Sequence, residues 1–292
     1  MNPLSALVGG ARPIVMDGGM GTLLQDGGLV DGGAGELWNV ERPEVIRSAH
    51  LAYAEAGARI LTTNTFGGTR PRLDMHGLGD RVHELNAAAA RIARSVADEH
   101  GALVAGDVGP TGELMAPLGT MDSSAAQAIF EEQLVGLRDG GIDVVLIETM
   151  SDLAEVQAAV AAARAVVPDL PIIATMSFDT NLRTMMGVRP AEAVLALAAV
   201  GVSAVGANCG RGPAEMATIA AQMAEVRPPG LLLVAQSNAG LPQVVGDHFE
   251  YDAPPPELAR HAEVLRDLGI DLIGGCCGAT PEHITAVSAA LA

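Results

Sequence analysis

A chain of 292 residues exceeds an ordinary domain but suits an α/β barrel, which commonly reaches about 250 residues or more. With 49% apolar residues, 18% charged residues and 35 glycines it can build a large core joined by tight turns, which excludes a disordered or fibrous chain. A formal net charge of -18 excludes nucleic acid and anionic membrane as partners, since both would repel it.

The opening residues MNPLSALVGGARPIVMDGG lack a basic stretch followed by a long apolar one, and no apolar run reaches the roughly 18 residues that span a bilayer. A cytoplasmic protein is therefore expected. Three cysteines in so long a chain are not a disulfide framework, and in a reducing compartment they point to metal binding or catalysis.

In chain order, eight short β-rich runs each precede an Ala-rich stretch of helical period, the pattern of repeated βα units. The first, IVMDGG (14–19), carries Asp17 and the turn glycines Gly18 and Gly19. A Gly- and Asp-rich loop over 26–35 follows as a candidate lid, then Trp38, and then a helix that Pro43 opens and Gly57 ends. The second run, ILTTNTF (60–66), carries Asn64 and Phe66. After it, Asp74, His76 and Gly79 match the corrinoid signature D-x-H-x-x-G, a false positive because they lie inside a barrel unit. LVAGDVG (103–109) carries Asp107, DVVLIET (143–149) carries Glu148, and IIATMSFD (172–179) carries Asp179. AVGANCG (204–210) carries Cys209, LLLVAQSN (231–238) ends on Asn238, and LIGGCCG (272–278) holds the pair Cys276 and Cys277. Pro281 opens the last helix after Thr280.

Eight such units predict a single (β/α)8 TIM barrel over residues 1–292, with no linker or charge block dividing it. The strand bodies are apolar and their C-terminal ends polar or metal-capable, which marks the face where this architecture builds its active site. All three cysteines lie on that face, so three thiolates can converge on one zinc and leave a fourth position open. Spacing alone leaves two other readings: buried small hydrophobes, or a strained vicinal disulfide. Gly210, Gly275 and Gly278 beside the cysteines favour the metal, since they leave room for close approach.

The segments MDGGMGT (16–22), NTFGG (64–68), GDVGPTGE (106–113), IETMSD (147–152), GANCG (206–210), SNAGLP (237–242) and GGCCGATPEH (274–283) resemble the homocysteine S-methyltransferase family across the whole chain. That family includes the homocysteine module of cobalamin-dependent methionine synthase and the betaine and S-methylmethionine enzymes. The resemblance implies that Cys209, Cys276 and Cys277 bind zinc, with the homocysteine sulfur as fourth ligand. It places Asn238 where an asparagine occupies that fourth position until substrate arrives, although a turn asparagine reads the same way. It also implies that Asp17 and Glu148 meet the substrate ammonium, while the residues alone leave helix capping as the lesser alternative. Backbone N–H groups of Gly18 and Gly19 are expected to meet the substrate carboxylate.

Asn64, Asp107 and Asp179 are read as braces behind the site. The segments ELWNVERPE (36–44), TNTFGGTRPRL (63–73), GPTGELMAPLG (109–119) and SFDTNLRTMMG (177–187) most resemble bacterial betaine enzymes. A small onium donor is therefore expected, with Trp38 and Phe66 as candidate donor contacts and Phe178, Phe249 and Tyr251 also near the mouth. The partners expected are L-homocysteine and a methyl donor, with a separate corrinoid protein as the alternative methyl source and a homo-oligomer left open.

Overall fold

The structure is a computed structural model that describes residues 3–9, 13–30, 32–245 and 248–292. Its barrel strands are β1 (Ile14–Val15), β2 (Ile60–Thr62), β3 (Leu103–Val108), β4 (Val144–Met150), β5 (Ile172–Met176), β6 (Ala204–Cys209), β7 (Leu232–Ser237) and β10 (Leu272–Gly275). A hairpin of β8 (Pro242–Val245) and β9 (His248–Tyr251) stands between β7 and the last barrel strand. Each of the eight runs read from sequence coincides with one barrel strand, β4 alone running one residue past its run, to Met150.

The sheet order is β1-β10-β7-β6-β5-β4-β3-β2, all ladders are parallel, and a parallel bridge from Met16 to Ile60 joins the two ends into a ring. Alternate strand residues face inward and outward, as the pleat requires. Ile14, Met16, Ile60, Ala105, Leu146, Ile173, Ala204, Val234 and Leu272 fill the interior. Their outward neighbours, among them Leu61, Val145, Val205 and Ile273, pack under the helices.

A helix returns the chain after each strand, and five of these open on proline: Pro43–Glu55, Pro190–Ala199, Pro213–Glu225, Pro255–Asp267 and Pro281–Leu291. Proline suits that position because its missing N–H would have no intrahelical acceptor there. Two elements were not anticipated. The hairpin is one, and the other is the short helix Pro3–Val8, whose Leu4 is buried against the barrel interior. No helix among the described residues is long and apolar enough to cross a membrane.

One register fixes the geometry of the mouth. Ser237 on β7 pairs with Cys209 of β6 on one side and with Gly275 of β10 on the other. Cys209 and Gly275 therefore stand level on either side of a single strand, with Cys276 one residue beyond.

Candidate metal and substrate site

At the end of β6 the chain turns through Cys209 at φ 60 and Gly210 at φ 78. A cysteine in the left-handed region is uncommon, and such strain concentrates at functional positions. After β10 the turn Cys276–Ala279 is anchored on both sides. Cys276 N–H donates to Ser237 O at 2.9 Å, Ala239 N–H donates to Cys277 O at 2.9 Å, and Ala279 N–H closes the turn on Cys276 O at 3.0 Å. The Tyr53 hydroxyl donates to Ala279 O at 2.8 Å from the first long helix.

The three sulfurs lie within 4.8 Å of one another, the one such group of candidate ligands among the described residues, and all three cysteines are free. Thiolates about 2.3 Å from one tetrahedral zinc stand about 3.8 Å apart, so the cluster has the size a single ion needs. The closest pair, Cys209 and Cys276 at 2.8 Å, would open by about 1 Å to take it. Soft sulfur donors of this number fit zinc, with one position left over.

The three thiols perturb one another. Hydrogen bonds from Cys209 and Cys276 pull Cys277 down to about 3, and the Tyr251 hydroxyl adds to them. The thiol of Cys276 is pushed well above its ordinary value by its contacts with Cys209 and Cys277 and then by burial.

A cavity of about 330 Å³ opens from the cysteines across the barrel mouth. All three sulfur residues line it, as do Glu148, Asp107, Asn64, Phe66, Gly18 and Gly19. Burial, the negative charge of Cys277 and then that of Asp17 raise Glu148 to about 8. Burial also raises Asp107, with Glu148, Glu36 and Asp17 adding to it, and its Oδ1 has no hydrogen-bond partner. The cavity is an acidic recess.

Several expected residues sit differently. Asp17 does not line the cavity. Its carboxylate accepts from Thr62 N–H at 2.6 Å and from Thr62 Oγ1 at 2.8 Å, tying β1 to β2, and burial raises it to about 6. Gly19 N–H is committed to Ala279 O at 3.0 Å, so it is not free for a substrate carboxylate. The first-turn N–H groups of Met20 and Gly21 have no intrahelical acceptor and stand in the same turn.

Asn238 braces both cysteine turns. Its Nδ2 donates to Gly210 O at 2.8 Å and its Oδ1 accepts from Cys277 N–H at 3.0 Å. Asn64 does act as a brace, donating to Gly35 O at 2.8 Å and to Asn39 Oδ1 at 3.0 Å, which pins the candidate lid to β2. Asp179 is exposed and meets only Thr180 Oγ1, away from the cavity because the loop after β5 carries it outward. Trp38 packs with Leu24 and Ile46 under the Arg42 guanidinium, 4.4 Å from its ring centre, and does not line the cavity. Phe66 does line it, whereas the Phe249 side chain lies outside the described residues.

Sequence reading missed Glu36, His76 and Arg72, which reach the cavity from loops, and Asn208, which precedes Cys209. For Asn208 a signal existed: it shares the inward parity of Ala204 and Gly206, so it is a polar residue on the interior face of a strand.

Residues 14–291 match the family described as homocysteine S-methyltransferase. The chain belongs to that family. Among family relatives, the methionine synthases of Mycobacterium leprae and Mycobacterium tuberculosis are each 36% identical over 96% of this chain. The chain spans about a quarter of the length of those relatives (24% and 25%). Among solved structures, the homocysteine methyltransferase MmuM from Escherichia coli aligns with TM-score 0.82 and 27% identity in its metallated form, covering 99% of both chains. Its oxidized form aligns with TM-score 0.81 at the same identity and coverage.

Proposed function

We propose that this chain methylates the thiol of L-homocysteine to give methionine, using zinc held by Cys209, Cys276 and Cys277 and a small cationic donor such as betaine. The observation that carries this reading is the convergence of three sulfurs at one end of an acid-lined cavity. Bound there, zinc would supply a Lewis acid that lowers the pKa of a coordinated thiol so that its proton is released to solvent, where a free thiol is only a few per cent thiolate at neutral pH. The metallated form of MmuM is in keeping with such a site.

The residues of the chain do the rest. Glu148 faces the cavity and takes the substrate ammonium, which restores its charge, while Asp17 behind Thr62 adds negative field. The substrate carboxylate meets the N–H groups of Met20 and Gly21, where the absence of a side chain at Gly21 leaves open space. Glu36 and Asp107 line the β2 and β3 side of the cavity beside Phe66, with Arg72 also on the lining, and the aromatic face of Phe66 supports a donor that carries positive charge. Three free thiols as metal ligands suit a reducing compartment, which supports a cytoplasmic location.

One observation favours a second methyl source. The exposed apolar side chains Val30, Met75, Leu114, Leu118, Met185 and Leu241 all lie on loops that follow barrel strands, so they surround the mouth. Such a rim suits docking of a separate corrinoid protein that delivers the methyl group. A donor panel decides between the two: zinc-loaded protein with homocysteine and betaine, S-methylmethionine, S-adenosylmethionine or methylcobalamin, scored for methionine. Turnover with a free onium compound is expected. Activity only when a corrinoid protein is added would replace the first reading with the second, and no methionine from any donor would end both.

A further inference from the structure

We infer that Asn208 is a positioning residue whose single side-chain amide fixes two of the sulfurs and, at the same time, the strand end that carries Glu148. The inference rests on the zinc reading above.

Asn208 is buried at 1% exposure on the inward face of β6. Its Oδ1 accepts from Thr149 N–H at 2.9 Å and from the Thr175 hydroxyl at 2.8 Å. Two donors converging on one side-chain atom identify that atom as oxygen, which settles how the amide is turned. The NH2 group then has two hydrogens for three acceptors: Thr149 Oγ1 at 2.7 Å, Cys209 Sγ at 3.8 Å and Cys276 Sγ at 3.8 Å. One hydrogen goes to the hydroxyl, and the other is shared by the two sulfurs. Equal distances to both sulfurs mean that the amide sits on the midline of the pair.

Two consequences follow. An N–H directed at a thiolate stabilises its charge and limits where the sulfur can sit, so Asn208 holds Cys209 and Cys276 in reach of one ion. On the other side, Thr149 has φ 59 at the point where the β4 ladder shifts register between Ile147 and Met150. The two hydrogen bonds between Asn208 and Thr149, one donated by each residue, clamp that strained residue, and Glu148 is its immediate neighbour. The metal side and the ammonium side of the cavity therefore share one amide.

Two substitutions separate these roles. Asn208→Asp keeps an oxygen for Thr149 N–H and the Thr175 hydroxyl but puts an acceptor where the sulfurs had a donor. Asn208→Leu removes both sets of bonds. Zinc affinity is measured by competition with a chromophoric chelator, folding by circular dichroism, and sulfur environment by the charge-transfer band of the cobalt(II)-substituted protein. Both variants should bind zinc about 10–100-fold more weakly and shift that band. At saturating zinc, only Asn208→Leu should also raise KM for homocysteine. Parent-like zinc affinity and cobalt spectrum in folded Asn208→Asp would overturn the inference, since a merely structural residue would be rescued by the bonds that variant retains. Unsubstituted protein that takes up no zinc would instead overturn the metal reading.

Discussion

On the zinc reading proposed above, replacing Gly19 with alanine should abolish metal binding without unfolding the protein. Gly19 has φ -74 and ψ 96, so alanine meets no backbone penalty there. A Cβ at that position, however, would lie 2.6 Å from Cys276 O and 2.6 Å from Thr22 Oγ1. The threonine hydroxyl can rotate away, but the cysteine carbonyl is backbone in an anchored turn. Restoring a separation of 3.0 to 3.4 Å from 2.6 Å moves Cys276 by 0.4 to 0.8 Å. Metal–ligand distances tolerate about 0.2 Å, so a backbone displacement of this size, added to the opening of about 1 Å that the Cys209–Cys276 pair needs to admit zinc, misplaces a ligand. The strain itself is of the order of 1–3 kcal/mol, which a domain this large survives. Gly21, two residues on, is the control: an added Cβ there meets nothing within 4 Å, and alanine in the helix Met20–Asp26 gains up to about 1 kcal/mol. Zinc content after dialysis and the melting temperature of each variant test this. Gly19→Ala with a full complement of zinc, or Gly21→Ala without it, would refute the reasoning.

Cys276→Ala should lose both zinc and methyl transfer, measured by metal analysis and methionine formation. Glu148→Gln should raise KM for homocysteine by about tenfold to a hundredfold, the worth of a charge-assisted hydrogen bond, with a smaller change in kcat. Because burial lifts Glu148 to about 8, its carboxylate form gains population as pH rises toward that value. Binding of 2-aminobutyrate, which has the ammonium and carboxylate but no sulfur, should therefore strengthen from pH 6 to 8 in the parent and lose that trend in Glu148→Gln, as calorimetry would show. His50 is fully buried, both of its ring nitrogens lack partners, and burial lowers it to about 4. The unfolded chain takes up that proton below about 6.5 while the folded one does not, so stability falls as the solution is acidified through this window. His50→Leu should remove about 2 kcal/mol of that loss at pH 5 and also stabilise the protein at pH 7.5; urea unfolding at the two pH values measures both.

The barrel was legible because each strand is an apolar run with a polar end, and all eight runs coincide with a strand. The cysteine cluster was legible for the same reason: strand ends of a closed barrel converge whatever their separation in sequence. Side-chain direction was harder to read. Asp17 and Asn238 stand at strand ends as expected, yet Asp17 turns sideways to Thr62 and Asn238 to the two cysteine turns, since neighbouring backbone donors compete for their oxygens. Trp38 was placed by its sequence neighbours, but a large apolar ring buries itself where it can, here beneath Arg42. Glu36 reaches the cavity through a tertiary contact, its Oε1 accepting from Gly67 N–H at 2.6 Å, and nothing local in the sequence announces it.

The pairing of Ser237 with both Cys209 and Gly275 divides labour around the rim. The three cysteines and Asn238 come from β6, β7 and β10, with Asn208 tied in turn to β4 and β5, while Phe66 and Asp107 belong to the arc of β2 and β3 across the mouth. Loops on that arc can be exchanged to suit a new alkylating reagent with the sulfur triangle left untouched, so an engineer seeking altered donor choice has a natural place to cut.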